Sequence, residues 1–174
     1  MSRWEGMNAD DLPAPPAIAI RPAQPADLDF VTGLAPRFAE SRPPWRTYEE
    51  IAHGTAAELR RAFAGLEPGA ALFVAEDAAG ERVGFAYVVT HIDFFTRERH
   101  GHLSELAVTR DGAGVGRALM REVERHVREL GLRFLTLNVH ERNARGHAFY
   151  ANLGFEPNTR QYAKTLRAPG PPKN

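Results

Sequence analysis

The stretch TRDGAGVGRALMREVERHVRELG, residues Thr109–Gly131, decides how this chain folds. It places Gly112, Gly114 and Gly116 within five residues and then continues as a long amphipathic pattern. Apolar side chains recur in that pattern at the three- and four-residue spacing of a helix, with two polar exceptions. A strand-like run precedes the glycines, so the sequence predicts a strand, a glycine-rich turn and a helix in that order.

The turn has the properties of an anion site. The first N–H groups of a helix have no partner within the helix, and the helix dipole adds positive charge there. Glycines without a Cβ let the backbone approach closely, so the turn suits a phosphate or pyrophosphate. Two well-known fingerprints fail: the third glycine is misplaced for G-x-G-x-x-G, and no lysine follows as a P-loop requires. A plain glycine-rich turn remains the alternative at this point.

The remaining chain predicts alternating strands and helices. Strands are predicted at 17–23, 69–77, 81–92, 100–109, 133–140 and 159–166, and helices at 24–40, 48–66, 115–130 and 143–153. A meander of strands followed by a strand–helix–strand unit predicts an α/β fold, with a mixed sheet and helices on both faces. We expect residues 1–16 to be a flexible leader, 17–167 a single domain and 168–174 a flexible tail.

Composition limits the classes of function. The 174 residues carry no net formal charge and no cysteine. A balanced charge argues against nucleic acid as a partner, and the lack of cysteine excludes disulfides and thiolate chemistry. No apolar run is long enough to span a membrane, and no secretory signal is evident, so we expect a cytoplasmic protein. The seven histidines show no metal-binding spacing, and we expect no metal site.

Two segments together resemble the GNAT superfamily of acyl-CoA-dependent N-acyltransferases. They read ELAVTRDGAGVGRAL at 105–119 and LTLNVHERNARGHAFYANLGF at 135–155. The resemblance implies a GNAT-like, mostly antiparallel central sheet of six to seven strands. It also implies acetyl-CoA as co-substrate, with its pyrophosphate on the glycine turn and its pantetheine arm along the preceding strand. The residues it assigns to the cofactor are Leu106, Ala107, Val108, Gly112, Ala113, Gly114, Val115, Gly116, Arg117 and Asn143.

The same resemblance implies direct attack of an amine on a thioester. Free alkyl amines have a pKa near 10, so a base must remove a proton, and an acid should meet the leaving thiolate. The resemblance places the acid at Tyr150 and the base at Glu105. Tyr150 could instead only pack, Glu105 could be a solvated strand residue, and Glu76 is a weaker candidate base. Asn143 could also cap its helix.

One position departs from the family pattern. Asp111 stands where the family has arginine or glutamine, and its carboxylate adds repulsion toward a pyrophosphate. We expect the preorganised backbone donors to dominate, with Arg110 or Arg117 offsetting the charge. This departure keeps a non-catalytic CoA-binding regulatory module as the alternative to an enzyme. A different nucleotide-binding domain is a third reading, against which the failed fingerprints count.

The acceptor is the least determined part of the prediction. In the family it is set by the first helices and the loops around the cleft, which here carry Trp45, Tyr48, Phe94 and Phe95. Aromatics beside arginines could line a pocket for a flat or partly anionic acceptor. They could equally be core residues or contacts of a homodimer. We expect a small-molecule amine as the acceptor and, as a second choice, a protein amine.

Overall fold

A computed structural model describes residues 18–166 of the chain. The strands are β1 (Ala19–Pro22), β2 (Ala71–Glu76), β3 (Arg82–Ile92), β4 (Arg99–Val108) and β5 (Leu135–Leu137). The helices are α1 (Leu28–Gly33), α2 (Tyr48–Ala64), α3 (Val115–Glu129) and α4 (Ala144–Ala151), with short 3-10 turns at Pro25–Asp27 and Ala35–Ala39. None of the helices among these residues is long and apolar enough to cross a membrane.

The sheet is mixed and mostly antiparallel, as predicted. Its strands lie in chain order from β1 to β5, and only the β4–β5 pair is parallel. The described residues form five strands, whereas the sequence predicted six to seven. The predicted last strand at 159–166 is not formed, and its residues are exposed without a strand partner in the described chain. The predicted leader and tail lie outside the described residues.

Helices cover both faces of the sheet, which confirms the prediction. On one face, α1 and α2 pack through Val31 and Leu59 against Val74, Phe85 and neighbouring strand residues. On the other, α3 packs on the side chains that alternate with these. The central strands are therefore buried on both sides, which explains their nearly continuous apolar sequences. We call these the α1/α2 face and the α3/α4 face.

A β-bulge in β4 interrupts the sheet where a site can form. Tyr87 on β3 lies opposite Glu105, and Val88 lies opposite Leu103, so Ser104 is an extra residue on β4. The pairing of β4 with β5 covers only Gly101–Leu103 and stops immediately before this bulge. From Ser104 to Val108 the β5-facing edge of β4 has no strand partner in the described chain.

Helix α2 forms where the sequence predicted a helix, but its buried face differs in part from the apolar spacing of the sequence. Thr47 caps α2, with its hydroxyl accepting from the Glu50 N–H and the Glu50 carboxylate accepting from the Thr47 N–H. The buried stripe of α2 is Ala52, Ala56, Leu59 and Ala62. Leu66 continues the apolar spacing of this segment beyond the end of α2, but it is 48% exposed. Small alanines face the sheet because α2 packs closely on it.

A charged cluster fixes the first strand to the sheet. Asp27 is 2% exposed and accepts hydrogen bonds from the guanidinium of Arg21 and from the Gln24 N–H. These bonds lower the pKa of Asp27. Arg21 also pairs with Glu76 at 2.6 Å. Glu76 is therefore engaged in a structural ion pair. This pairing argues against Glu76 as the catalytic base, the role for which it was the weaker candidate.

Candidate active site

The unpaired edge of β4 offers main-chain hydrogen-bonding groups to a ligand. The Thr109 N–H donates to Val83 O on β3 at 2.9 Å. Since successive residues of a strand direct their N–H groups to opposite edges, those of Leu106 and Val108 point away from β3, toward the gap beside β5. Ala107 has its N–H toward β3 and a buried side chain. The Ala107 N–H is therefore used within the sheet, and a contact of Ala107 with the cofactor stays a prediction.

The glycine turn connects this edge to α3. Gly112 and Gly114 have φ of +80° and +76°, a conformation that favours glycine. Gly114 is the N-cap of α3, and the first intrahelical bond runs from Ala118 N to Gly114 O at 3.0 Å. The N–H groups of Val115, Gly116 and Arg117 precede that bond and are free at the helix start. The exposed turn, including Ala113, thus presents the donors that the sequence predicted.

Gly116 has a second reason for being glycine. A Cβ at this position would lie 3.1 Å from the Phe149 ring and 3.9 Å from Leu106. Gly112 and Gly114 have open space at the corresponding position. Two glycines therefore set the shape of the turn, whereas the third lets α4 approach α3 closely. Sequence reasoning had given all three the same role.

Asp111 is neutralised by residues other than those predicted. Its carboxylate accepts two hydrogen bonds from Arg145 on α4, and the Nη2–Oδ1 distance is 2.6 Å. Arg37 lies 3.8 Å from the same carboxylate and donates to Thr109 O at 3.1 Å. Arg110 and Arg117, which the sequence analysis expected to offset this charge, form no ion pair in residues 18–166. Arg37 and Arg145 therefore share the Asp111 carboxylate, and with Arg110 and Arg117 beside it in the chain the turn has net positive charge.

Asn143 caps α4, which confirms the structural part of its prediction. Its Oδ1 accepts from the Gly146 N–H at 2.8 Å. The cap fixes the direction in which α4 leaves β5 and so the place of Tyr150 two turns later. The side-chain amide NH₂ of Asn143 is not used by the cap. Its predicted contact with the cofactor arm stays a prediction.

Tyr150 is enclosed by aromatic and apolar neighbours on the α3/α4 face. Its ring packs edge-on against Phe149 and Phe155, with centroids 5.0 and 5.7 Å away. Burial alone raises the pKa of Tyr150 to about 12. The phenol is therefore protonated throughout the neutral range, which a proton donor requires. Packing and the predicted acid role are compatible.

Glu105 is a half-buried carboxylate on the α1/α2 face, directly after the bulge. Its Oε2 is buried and has no hydrogen-bond partner within the described chain. Burial raises the pKa of Glu105, the Ser104 hydroxyl partly opposes this, and the negative charge of Glu58 adds to it. A carboxylate with a raised pKa and an unused oxygen is a better proton acceptor than a solvated one.

A group of three imidazoles continues from Glu105 along the same face. His91 and His102 are stacked with centroids 4.4 Å apart, and His100 lies edge-on to His91. The Thr136 hydroxyl lies 3.3 Å from Gly101 O and 2.9 Å from His102 Nδ1. If the hydroxyl donates to Gly101 O, it accepts from Nδ1, and this arrangement favours the tautomer with the proton on Nδ1 and Nε2 as an acceptor. Burial and the other two histidines lower the pKa of His102 to about 4.

The four aromatics considered for the acceptor region all lie at the surface. Trp45 and Tyr48 are 44% and 41% exposed, and Phe94 and Phe95 are 80% and 88% exposed. The alternative that they are core residues is therefore wrong, whereas the alternative of homodimer contacts stays a prediction. Phe94 and Phe95 stack edge-on at the tip of the β3–β4 hairpin, and Trp45 and Tyr48 lie at the start of α2.

Comparison with known families decides the assignment. A model of the acetyltransferase (GNAT) family matches residues 35–155, which include both the bulged strand and the glycine turn. The chain belongs to the GNAT family. It is an acyl-CoA-dependent N-acetyltransferase at the level of the family, with acetyl-CoA as co-substrate.

Solved structures show the same fold. A putative acetyltransferase from Pyrococcus furiosus has 20% identity and a TM-score of 0.70, covering 86% of this chain and 100% of its own. A Trypanosoma brucei acetyltransferase has 25% identity and a TM-score of 0.59, with 86% and 100% coverage. Aminoglycoside N-acetyltransferase AAC(6′)-Iy, solved with CoA, has 20% identity and a TM-score of 0.67, with 90% and 99% coverage. No curated protein sequence matches the chain.

The GNAT assignment leaves some site features that the sequence did not reveal. Neither the bulge at Ser104 nor the early end of β5 has a local sequence signal. Arg37 is far from the glycine turn in sequence, and only the fold brings it to Asp111. Arg145 lies within the second family-like segment, two residues after Asn143, so its position near the cofactor side could have been anticipated.

Proposed function

We propose that this GNAT protein transfers the acetyl group of acetyl-CoA to a primary amine of a small molecule by direct attack. The observation that carries the proposal is the buried, unpartnered Oε2 of Glu105 beside the open edge of β4. A carboxylate held in this way has no structural partner that would explain it. Its position, one residue beyond the bulge, is where an amine entering from the α1/α2 face would meet a thioester lying in the gap.

The residues present fit acetyl-CoA. The gap beside Leu106 and Val108 offers main-chain partners for amides, and the turn at Gly112–Arg117 offers unpaired N–H groups in a positive field. Acetyl-CoA supplies the acetyl group as an activated thioester. We propose that Leu106, Val108 and the glycine turn bind the cofactor mainly through their backbones, with Arg117 adding charge and the free amide of Asn143 adding a side-chain donor.

Glu105 and Tyr150 divide the proton transfers between the two faces. Glu105 accepts a proton from the incoming ammonium, directly or through water, so that the amine can attack. The free N–H of Leu106 or Val108 donates to the developing oxyanion. Tyr150 donates its phenolic proton to the departing sulfur. The phenol can do so at neutral pH because burial keeps it protonated.

A small-molecule acceptor is favoured over a protein amine. AAC(6′)-Iy, which shares the fold, has also been solved with a bisubstrate analogue, CoA-S-monomethyl-acetylneamine. This structural similarity supports the proposal that the fold can accommodate a small-molecule acceptor. A regulatory CoA-binding module is the second candidate, which the Asp111 departure raised. The pairing of Asp111 with Arg145 weakens that argument, because the carboxylate does not face a pyrophosphate uncompensated.

An amine panel with thiol detection tests the proposal. Purified protein, acetyl-CoA and each amine are combined, and released CoA is measured. Acetyl-CoA should also raise the melting temperature, since a ligand at 100 times its dissociation constant adds about 2.7 kcal/mol of stability. Stabilisation without thiol release across the panel would favour the regulatory module. No stabilisation at millimolar acetyl-CoA would contradict both candidates.

A further inference from the structure

A small polar cavity lies between the start of α2 and the start of α4. Its volume is about 160 Å³, and it is lined by Glu40, Arg42, Pro43, Pro44, Arg46 and Arg142. A cavity of this volume holds several water molecules. The cavity can hold a carboxylate or phosphate group but is smaller than a site that encloses a whole drug-sized molecule.

The charge around this cavity is unbalanced. Arg42, Arg46 and Arg142 all line it, and none of the three forms a salt bridge in residues 18–166. Glu40 is the single carboxylate in the lining. Like charges gathered without partners repel each other, and an anion placed among them relieves the repulsion. Planar guanidinium groups are also the side chains best matched to carboxylate and phosphate oxygens.

Part of the cavity wall is held in place before any ligand arrives. Arg42 donates from Nη1 to Ala39 O at 3.2 Å, and its guanidinium carbon lies 6.0 Å from the centre of the Tyr48 ring. Pro43 and Pro44 follow directly and restrict the backbone. A preorganised arginine binds an anion with less loss of side-chain freedom than a mobile one.

The cavity lies on the side of the sheet from which the acceptor would enter. The segment that contains Arg42 follows the 3-10 turn Ala35–Ala39, and Phe38 of that turn packs on Phe85 of the α1/α2 face with ring centroids 6.4 Å apart. Glu105 lies on the same face, opposite Tyr87. Arg142 reaches the cavity from the loop that leads to Asn143. The segment that carries Arg42 and Arg46 therefore leaves the sheet on the same side as Glu105.

We infer that Arg42, Arg46 and Arg142 bind an anionic group, a carboxylate or a phosphate, carried by the acceptor amine. The inference rests on the proposed acetyltransferase function and narrows its substrate class to amines that also bear an acid group. An acceptor with only positive charges would be disfavoured by the same arginines. The cofactor also carries phosphates, so the anion could come from either molecule, and 3′-dephospho-CoA distinguishes these two sources.

The experiment compares matched acceptors on wild-type protein and two variants. The acceptors are 4-aminobutanoate, its neutral amide and 1,4-diaminobutane, assayed for kcat/KM by thiol release and for binding by thermal shift in the presence of CoA. The variants are Arg142→Gln and Arg46→Gln, with Arg60→Gln on the exposed side of α2 as the matched control. We expect wild type to prefer the acid over the amide by about 10-fold or more, as for a charge-assisted hydrogen bond.

The variants decide which anion is bound. Arg142→Gln and Arg46→Gln should remove most of the preference for the acid, while Arg60→Gln keeps it. The dissociation constants of CoA and 3′-dephospho-CoA should be unchanged in all three variants. Equal use of acid and amide by wild type would overturn the inference, as would variants that weaken CoA but not its dephospho form. If no amine releases thiol, the proposed function fails, and the thermal-shift comparison of acid with amide still decides the inference.

Discussion

Asp111 in the glycine turn and Arg145 on α4 form a bidentate ion pair, in which Nη2 of Arg145 and Oδ1 of Asp111 are 2.6 Å apart. The pair joins the helix that carries Tyr150 to the turn that presents the free N–H groups. Both side chains are exposed, at 68% for Arg145 and 42% for Asp111, so the pair contributes little to stability. Its consequence is electrostatic, because it decides whether a negative carboxylate faces the bound phosphates.

Removing either partner should change acetyl-CoA affinity in opposite directions. Arg145→Gln leaves Asp111 with only the more distant Arg37 and should weaken binding, whereas Asp111→Asn frees Arg145 and should strengthen it. We expect changes of about two- to fivefold at low salt, which shrink as salt screens the charges. Calorimetric titration at two salt concentrations measures both. Arg128→Gln, which breaks an exposed pair on α3, serves as the control, and equal changes in all three would refute the account.

Gly114 should resist replacement by residues with a Cβ. Its φ of +76° costs a non-glycine residue about 1–2 kcal/mol, so Gly114→Ala should be destabilised by that amount in chemical denaturation. Gly114→Asn should lose less, since asparagine tolerates this conformation. No neighbouring atom lies within 4 Å of the added Cβ, so the loss comes from the backbone alone. An alanine variant as stable as wild type would show that the turn adopts another conformation.

Tyr150→Phe should separate catalysis from packing. The ring remains to fill its place between Phe149 and Phe155, while the proton donor is lost. We expect kcat to fall about 100-fold or more with acetyl-CoA affinity unchanged. Since burial raises the pKa of Tyr150 to about 12, its ionisation should not limit the rate below that pH. Steady-state kinetics with a titration of acetyl-CoA test this, and an unchanged kcat would remove Tyr150 from the mechanism.

Glu105→Gln should lower activity and raise stability at neutral pH. The variant cannot accept a proton, and kcat/KM should fall about 100-fold. Because burial raises the folded-state pKa of Glu105, the wild type is most favoured with this group protonated, and it loses that stability as pH rises through the raised pKa. The variant should lack this loss. Unfolding from pH 4 to 8 measures it, with the exposed Glu81→Gln as control, and identical pH profiles would contradict the burial of this charge.

His102 should stay neutral until the solution is strongly acidic. Its pKa is lowered from 6.5 to about 4, so the native state loses stability as pH falls from the first value toward the second. NMR of the imidazole should show the proton on Nδ1, as donation from Nδ1 to the Thr136 hydroxyl predicts, with no titration near neutral pH. Thr136→Val removes that acceptor and should change the tautomer equilibrium. Titration of His102 near its ordinary pKa would refute the assignment.

Local patterns predicted the elements of this GNAT protein well. The spacing of Val115, Leu119 and Val123 identified α3 and its buried face, and the alternating runs identified the central strands. Helices on both faces followed from the order of elements. These features depend on neighbours along the chain, so the sequence carries them directly. The candidate residues Glu105 and Tyr150 came from the resemblance, and their roles stay predictions.

Other features depended on contacts between distant parts of the chain. The bulge at Ser104 arises from the pairing of β3 with β4, and the gap beside it depends on where β5 ends. The partners of Asp111 were wrongly assigned because the nearest arginines in sequence are not the nearest in space. The sequence determined which segments are strands, helices and turns, since periodicity and backbone preference act locally. Only the tertiary structure decided which charges meet and which oxygens remain without partners, because both depend on how those segments pack together.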